Sequence, residues 1–238
     1  MVTDPCFYIR YNKINQPTFL GVFVDGMAIA GYSNDVKMAK DELRCEFHMT
    51  DLGEMKRFLG MEIERDRQQQ TITIRQTAYI EGLLTKNQMQ NTSPQPTPIA
   101  TNYQPRKRRQ PEKPANKQQY QSVVGSLIYA ANITRPDIAA AVGIAGQYMS
   151  DPSESYWQGV KRILRYLVGT LIKGLVLGGL NQSIKLEAWV DSDWANDIDT
   201  GKSRAGYIIK LGLGAVIWGS KKQQIVDLSS SEAGVAYL

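Results

Sequence analysis

The chain has 238 residues, 42% of them hydrophobic and 21% charged, which suffices for one large domain or two small ones around a folded core. Its formal net charge of +5 permits contact with nucleic acid and equally describes a basic solvated surface. Two cysteines, Cys6 and Cys45, give no disulfide framework or zinc spacing, and the single histidine, His48, argues against a His-rich metal site or a Ser-His-Asp relay.

Asp4 and Arg10 interrupt any apolar run in residues 1–11, so no signal peptide is read there, and no stretch is long and apolar enough to span a bilayer. The default is an intracellular protein, nuclear or cytoplasmic, with no membrane partner. Cys6–Arg10 and Phe19–Val24 are apolar runs around the polar turn Asn12–Gln16 and predict a hairpin. Phe23-Val24-Asp25-Gly26 leads into the apolar Met27–Ala30. An Asp in a strand–turn–strand is a candidate metal position, but Asp-Gly is also a strong hairpin signal, and spacing alone favours the structural turn. Ser33–Met49 predicts an amphipathic helix, with Val36, Ala39, Leu43 and Phe47 on one face, Lys37, Lys40 and Arg44 on the solvated side, and Ser33 or Asn34 as cap. Phe58–Glu64 and Thr71–Ile74 alternate and predict a strand pair closed by Asp66–Gln70. Thr77–Met89 predicts a second helix with Ile80, Leu83 and Leu84 as its apolar face.

Asn91–Gln119 holds six prolines, no apolar period and the basic run Arg106-Lys107-Arg108-Arg109, and is expected to be an extended, mobile linker. The basic run has three readings: a solvated linker, a phosphate contact or a nuclear import signal. Val123–Tyr129 and Asp137–Met149 are helix-like, and Thr134–Ile138 makes a helix start with Pro136 in its first turn. Tyr156–Thr170 predicts a further helix, with Val160, Ile163, Leu164 and Leu167 on one face and Lys161, Arg162 and Arg165 on the other.

Near the end, Ile184, Leu186, Ala188 and Val190 alternate with Lys185, Glu187 and Trp189, the pattern of a half-buried strand. It ends in Asp191 and Asp193, and carboxylates on a fixed strand end can hold a divalent metal against a phosphodiester. Tyr207–Leu211 and Ala215–Trp218 predict two more strands around a Gly212–Gly214 turn, and Leu228–Glu232 has the serine and acid of a helix start. A strand ending in Asp, a meander and a helix opening with Glu232 form the front half of a ribonuclease-H-like unit.

Four motifs in order, Asp191-Ser-Asp193-Trp194-Ala, Lys202-Ser-Arg-Ala-Gly206-Tyr207, Trp218-Gly-Ser-Lys221-Lys222-Gln223 and Ser229-Ser-Ser-Glu232-Ala233, resemble the ribonuclease H region of copia-type retrotransposon Pol polyproteins. Upstream, Val124-Gly-Ser-Leu127, Thr134-Arg-Pro-Asp-Ile138 and Lys161–Thr170 resemble the connection segment of the same family. Phe23-Val-Asp25-Gly26, with Asp4–Tyr8 and Asp51–Ile63 around it, resembles the reverse-transcriptase palm hairpin. The resemblance implies an α+β fold: a partial reverse-transcriptase palm/thumb (1–90), the Pro-rich linker (91–119), a helical connection segment (120–180) and a truncated ribonuclease-H-like α/β unit (181–238).

The family's polymerase motif reads aromatic-Val-Asp-Asp, and here the second aspartate is Gly26. The resemblance implies a further metal-binding aspartate on an earlier strand, expected to lie before the first residue of this sequence. The resemblance also implies about four carboxylates around two metals for ribonuclease H. Asp191 fits the first; Gly234 stands at the second, Glu232 being the neighbouring glutamate, and the chain stops before the rest. The expectation is a protein inactive in both sites, with vestigial Asp25 and Asp191 and no cofactor, although the intact family uses Mg2+. Uncovered sheet edges predict marginal stability or association. A recruited, non-enzymatic role remains open in two forms. One is binding of nucleic acid through the basic surface, or of a cellular or host protein. The other starts from Arg162-Ile163-Leu164-Arg165, which matches the R-x-L-R entry motif of secreted oomycete effectors that suppress defence inside a host cell, in its nucleus or cytoplasm.

Overall fold

The computed structural model describes residues 4–24, 26–101, 103, 106–109, 111–180, 185–193, 195, 197–226 and 229. The fold is mixed α and β, with five α-helices and three small antiparallel sheets among the described residues. It divides into two compact units, 1–56 and 57–238.

In the first unit, β1 (Phe7–Tyr11), β2 (Pro17–Phe23) and β3 (Gly26–Ala30) form a sheet in that order, followed by helix α1 (Ser33–Glu46). The Asn12 side chain closes the first turn, its Oδ1 accepting from the Ile14 and Gln16 amides at 3.1 and 2.9 Å. In the second hairpin Phe23 faces Gly26, and Val24 takes a φ of 52°. The α1 cap expected at Ser33 or Asn34 is corrected: Tyr32 holds the N-cap position, without a side-chain bond. The helix also ends at Glu46, because Phe47 turns extended (φ −129°, ψ 140°) and is exposed. Asp51 binds Lys40 at 3.0 Å and Arg44 at 3.1 Å, and the Gly53 amide, then Lys40, hold its carboxyl below the usual range. Cys6 and Cys45 are free and exposed.

In the second unit, β4 (Arg57–Phe58), β5 (Met61–Asp66), β6 (Thr71–Arg75) and β7 (Leu175–Gly178) form a four-stranded sheet in that order. Asp66 Oδ1 closes the β5–β6 turn by accepting from the Gln68 and Gln69 amides. The compact division falls after Lys56, and β6 pairs with the distant β7, Ile74 opposite Leu175. Helix α2 (Thr77–Lys86) likewise buries Ile80, Leu83 and Leu84 in the helical core that follows. That core is completed by α3 (Lys117–Ile133), a 3-10 turn (Pro136–Ile138), α4 (Ala139–Gly146) and α5 (Glu154–Gly169). Tyr120, Val124, Leu127, Val160, Leu164 and Leu167 are fully buried there. Asn116 caps α3 and Ser153 caps α5 through side-chain oxygens, as helix starts require.

The stretch expected to be an extended, mobile linker is corrected in two ways. Its last residues, from Lys117, belong to α3. Its first part lies on α5, with the Gln95 amide donating to Arg165 O at 3.3 Å and Ile99 packed on the core. Prolines remove amide donors but leave carbonyls, and α5 supplies the donors that meet them.

The third sheet has the order β10-β9-β8, with β8 at Leu186–Asp193, β9 at Arg204–Leu211 and β10 at Gly214–Lys222. The turn is Gly212-Leu213, Gly212 having φ +62°. Trp218 Nε1 donates to Ala131 O at 2.7 Å and joins β10 to α3. β8 is an edge strand, exposed along nearly its whole length, with Leu186 72% and Trp189 48% accessible. Ile184 at its expected start, and the expected helix start at 228–232 apart from Ser229, lie outside the described residues.

Candidate functional site

The two candidate metal aspartates have different standing. Asp25 lies outside the described residues, as do Glu232 and Gly234. Gly26 opens β3 and contributes backbone alone. Asp191 sits on the exposed edge strand opposite Gly206, and its Oδ1 accepts from the Ser192 amide at 2.9 Å. A magnesium pair needs several convergent carboxylates. Among the described residues no three His, Cys, Asp or Glu side chains come together as a group that could hold a metal.

Asp197, which sequence reasoning gave no role, organises the loop after β8. Its carboxylate accepts from Lys222 Nζ at 2.9 Å and from the Thr200 amide and hydroxyl at 2.9 and 2.8 Å. Burial pushes its pKa up, and Lys222 with Thr200 outweighs that and holds it below the ordinary value.

The basic run is set against carboxylates. Arg106 reaches Glu112 at 3.4 Å, and Arg108 Nε lies 3.1 Å from Asp151. Arg109 stands 3.9 Å from Asp199, whose other oxygen accepts from the Lys107 amide. Composition cannot reveal these acids as partners, because Asp151 and Asp199 are far away in sequence and only the fold brings them in.

The four residues Arg162–Arg165 occupy the middle of α5. Ile163 and Leu164 are core residues, 2% and 0% exposed. Arg162 donates from Nε to Thr97 O at 3.1 Å and from Nη2 to Thr97 Oγ1 at 3.0 Å. Arg165 Nε donates to Ser93 O at 2.7 Å. The face that carries Arg162 and Arg165 is therefore partly covered, by 93–97. Lys161, Arg162 and Arg165 also line an open groove with Tyr103 and Tyr156.

Residues 2–101 match the family described as reverse transcriptase (RNA-dependent DNA polymerase). The chain is 39% identical over 237 residues to the Retrovirus-related Pol polyprotein from transposon TNT 1-94 of Nicotiana tabacum, covering 97% of this chain and 18% of that protein. It is 34% identical over 217 residues to an uncharacterized mitochondrial protein of Arabidopsis thaliana, AtMg00810, covering 90% and 87%. It is 47% identical over 113 residues to Secreted RxLR effector protein 161 of Plasmopara viticola, covering 48% and 79%. The chain thus spans less than a fifth of the length of the Pol polyprotein. No solved structure matches.

Proposed function

The chain belongs to the copia-type retrotransposon Pol polyproteins, and from that membership we propose that it is a non-catalytic derivative, inactive as polymerase and as ribonuclease H. The observation that carries the proposal is a pair of substitutions inside the motifs: Gly26 and Gly234 stand where the family resemblance puts metal-binding acids. Glycine has no side chain to ligate with, and a two-metal mechanism needs the full set of carboxylates to hold both ions. The exposure of Asp191 on a strand edge supports the same conclusion. In this reading β1–β3 are the palm remnant and β8–β10 the front of a ribonuclease-H-like sheet. Purified full-length chain is expected to extend a primer and cleave an RNA–DNA hybrid in magnesium no faster than its Asp25→Ala and Asp191→Ala variants. Magnesium-dependent turnover that these variants lose would overturn it.

A second reading, a secreted effector, is favoured by the similarity to Secreted RxLR effector protein 161. That similarity carries it rather than the R-x-L-R motif, whose four residues serve the α5 core and its cover. Host-cell entry of a tagged chain, equal in parent and Arg162→Lys/Arg165→Lys, would separate entry from the motif; no entry at all would remove the reading.

A further inference from the structure

The groove beside α5 has a volume of about 1250 Å³. Sites that enclose a small molecule run to roughly 300–1,000 Å³, so an open groove of this size suits an extended chain. Among the described residues no carboxylate lies within ion-pair distance of Lys161, Arg162 or Arg165, whereas Arg106, Arg108, Arg109 and Arg135 each have one. The two arginines are already oriented. Their bonds to Ser93 and Thr97 engage Nε of each and Nη2 of Arg162, leaving the remaining terminal nitrogens for an incoming acceptor.

A second observation concerns Tyr156, which lines the groove. It is 2% exposed. The aromatic rings distinguish between polyanions. Tyr156 is stacked on Tyr148 with centroids 4.1 Å apart. Tyr103 lies against Gly159, where a Cβ would sit 2.7 Å from its hydroxyl. Both rings are thus packed on neighbours, whereas single-stranded nucleic acid is held by open ring faces on which bases stack. Asn91, Thr92, Ser93 and Ser155 supply hydroxyl and amide groups suited to a peptide backbone.

We propose that this groove binds an extended acidic segment of a partner protein, its carboxylates on Lys161, Arg162 and Arg165. The inference does not depend on the loss of catalysis. In the test, fluorescein-labelled peptide of alternating Glu and Ser, its Lys-for-Glu counterpart and single-stranded oligothymidine are titrated against the full chain at low salt by anisotropy. Saturable binding of the acidic peptide is expected, weakened about tenfold in Arg165→Lys, which keeps the charge and loses the fork, and similarly in Lys161→Glu. Lys161 makes no bond to 93–97, so Lys161→Glu decides the matter if Arg165→Lys disturbs the fold. Tighter binding of oligothymidine would assign the groove to nucleic acid and overturn the proposal. Absent peptide binding, or undiminished binding by Lys161→Glu, would do the same.

Discussion

Arg135 is the largest fully buried side chain among the described residues, 1% exposed, and each of its three guanidinium nitrogens makes a hydrogen bond. It donates from Nε and Nη2 to the two oxygens of Asp137, from Nη1 to Thr170 O and from Nη2 to Thr170 Oγ1, with the Tyr166 ring 5.7 Å away. Removing one partner of such a group leaves the other uncompensated. Arg135→Ala is expected to destabilise the second unit by about 3 kcal/mol in urea at neutral pH, the low end for a buried pair because Asp137 keeps some solvent contact. The pH dependence follows from Asp137. Burial raises its pKa, but the Arg135 bonds and charge and the Tyr166 hydroxyl outweigh this and leave it lowered. A carboxylate lowered on folding stabilises above its unfolded value, near 4, and that stability is lost as pH falls through the folded value. The stability gap between parent and Asp137→Asn should therefore be widest at neutral pH and narrow on acidification, as urea melts at neutral and acid pH would read. A gap independent of pH would contradict this.

The contact between α5 and residues 93–97 shows what sequence can and cannot disclose at the level of elements. Ile163, Leu164 and Leu167 repeat at helical spacing, so the buried face of α5 was legible, as was that of α2. The opposite face carried no mark of a cover, since nothing in a Pro-rich stretch says which cations will meet its carbonyls. Arg165→Ala is expected to speed amide exchange at Gln95 roughly tenfold, read by hydrogen-exchange mass spectrometry, while Ile163→Ala costs about 2–5 kcal/mol of global stability. The hairpins were legible for local reasons, Asn12 and Asp66 turn chemistry, whereas the β6–β7 pairing joins strands with the whole helical core between them in sequence and has no local signature. That pairing ends at Gly178, whose φ is +88° and whose added Cβ would collide with Gln70 O. Gly178→Ala should lower the stability of the second unit by more than about 1 kcal/mol in urea melts, and a neutral result would remove the close approach as a constraint.

At the scale of the whole chain, the two units differ in what holds them. Among the described residues every buried hydrophobic lies in the second, and α1 buries none of its side chains. The first unit is expected to open at lower denaturant. All four tryptophans, Trp157, Trp189, Trp194 and Trp218, belong to the second unit, so their fluorescence should report a later urea midpoint than circular dichroism, which also counts α1. Coincident curves would mean one cooperative block. The mixed fold and family were legible because their motifs are local and ordered along the chain. The metal question was not legible in full, because convergence of carboxylates is a three-dimensional property. The placement of Arg106, Arg108 and Arg109 against Glu112, Asp151 and Asp199 has a further consequence for the net charge of +5. When a polyanion arrives, a cation already facing a carboxylate must leave it, and the freed carboxylate takes up a solution cation that offsets one counterion released from the polyanion. The logarithmic salt slope of any polyanion affinity should then be shallower than the number of arginines in the run would give, because fewer ions enter the bulk on binding.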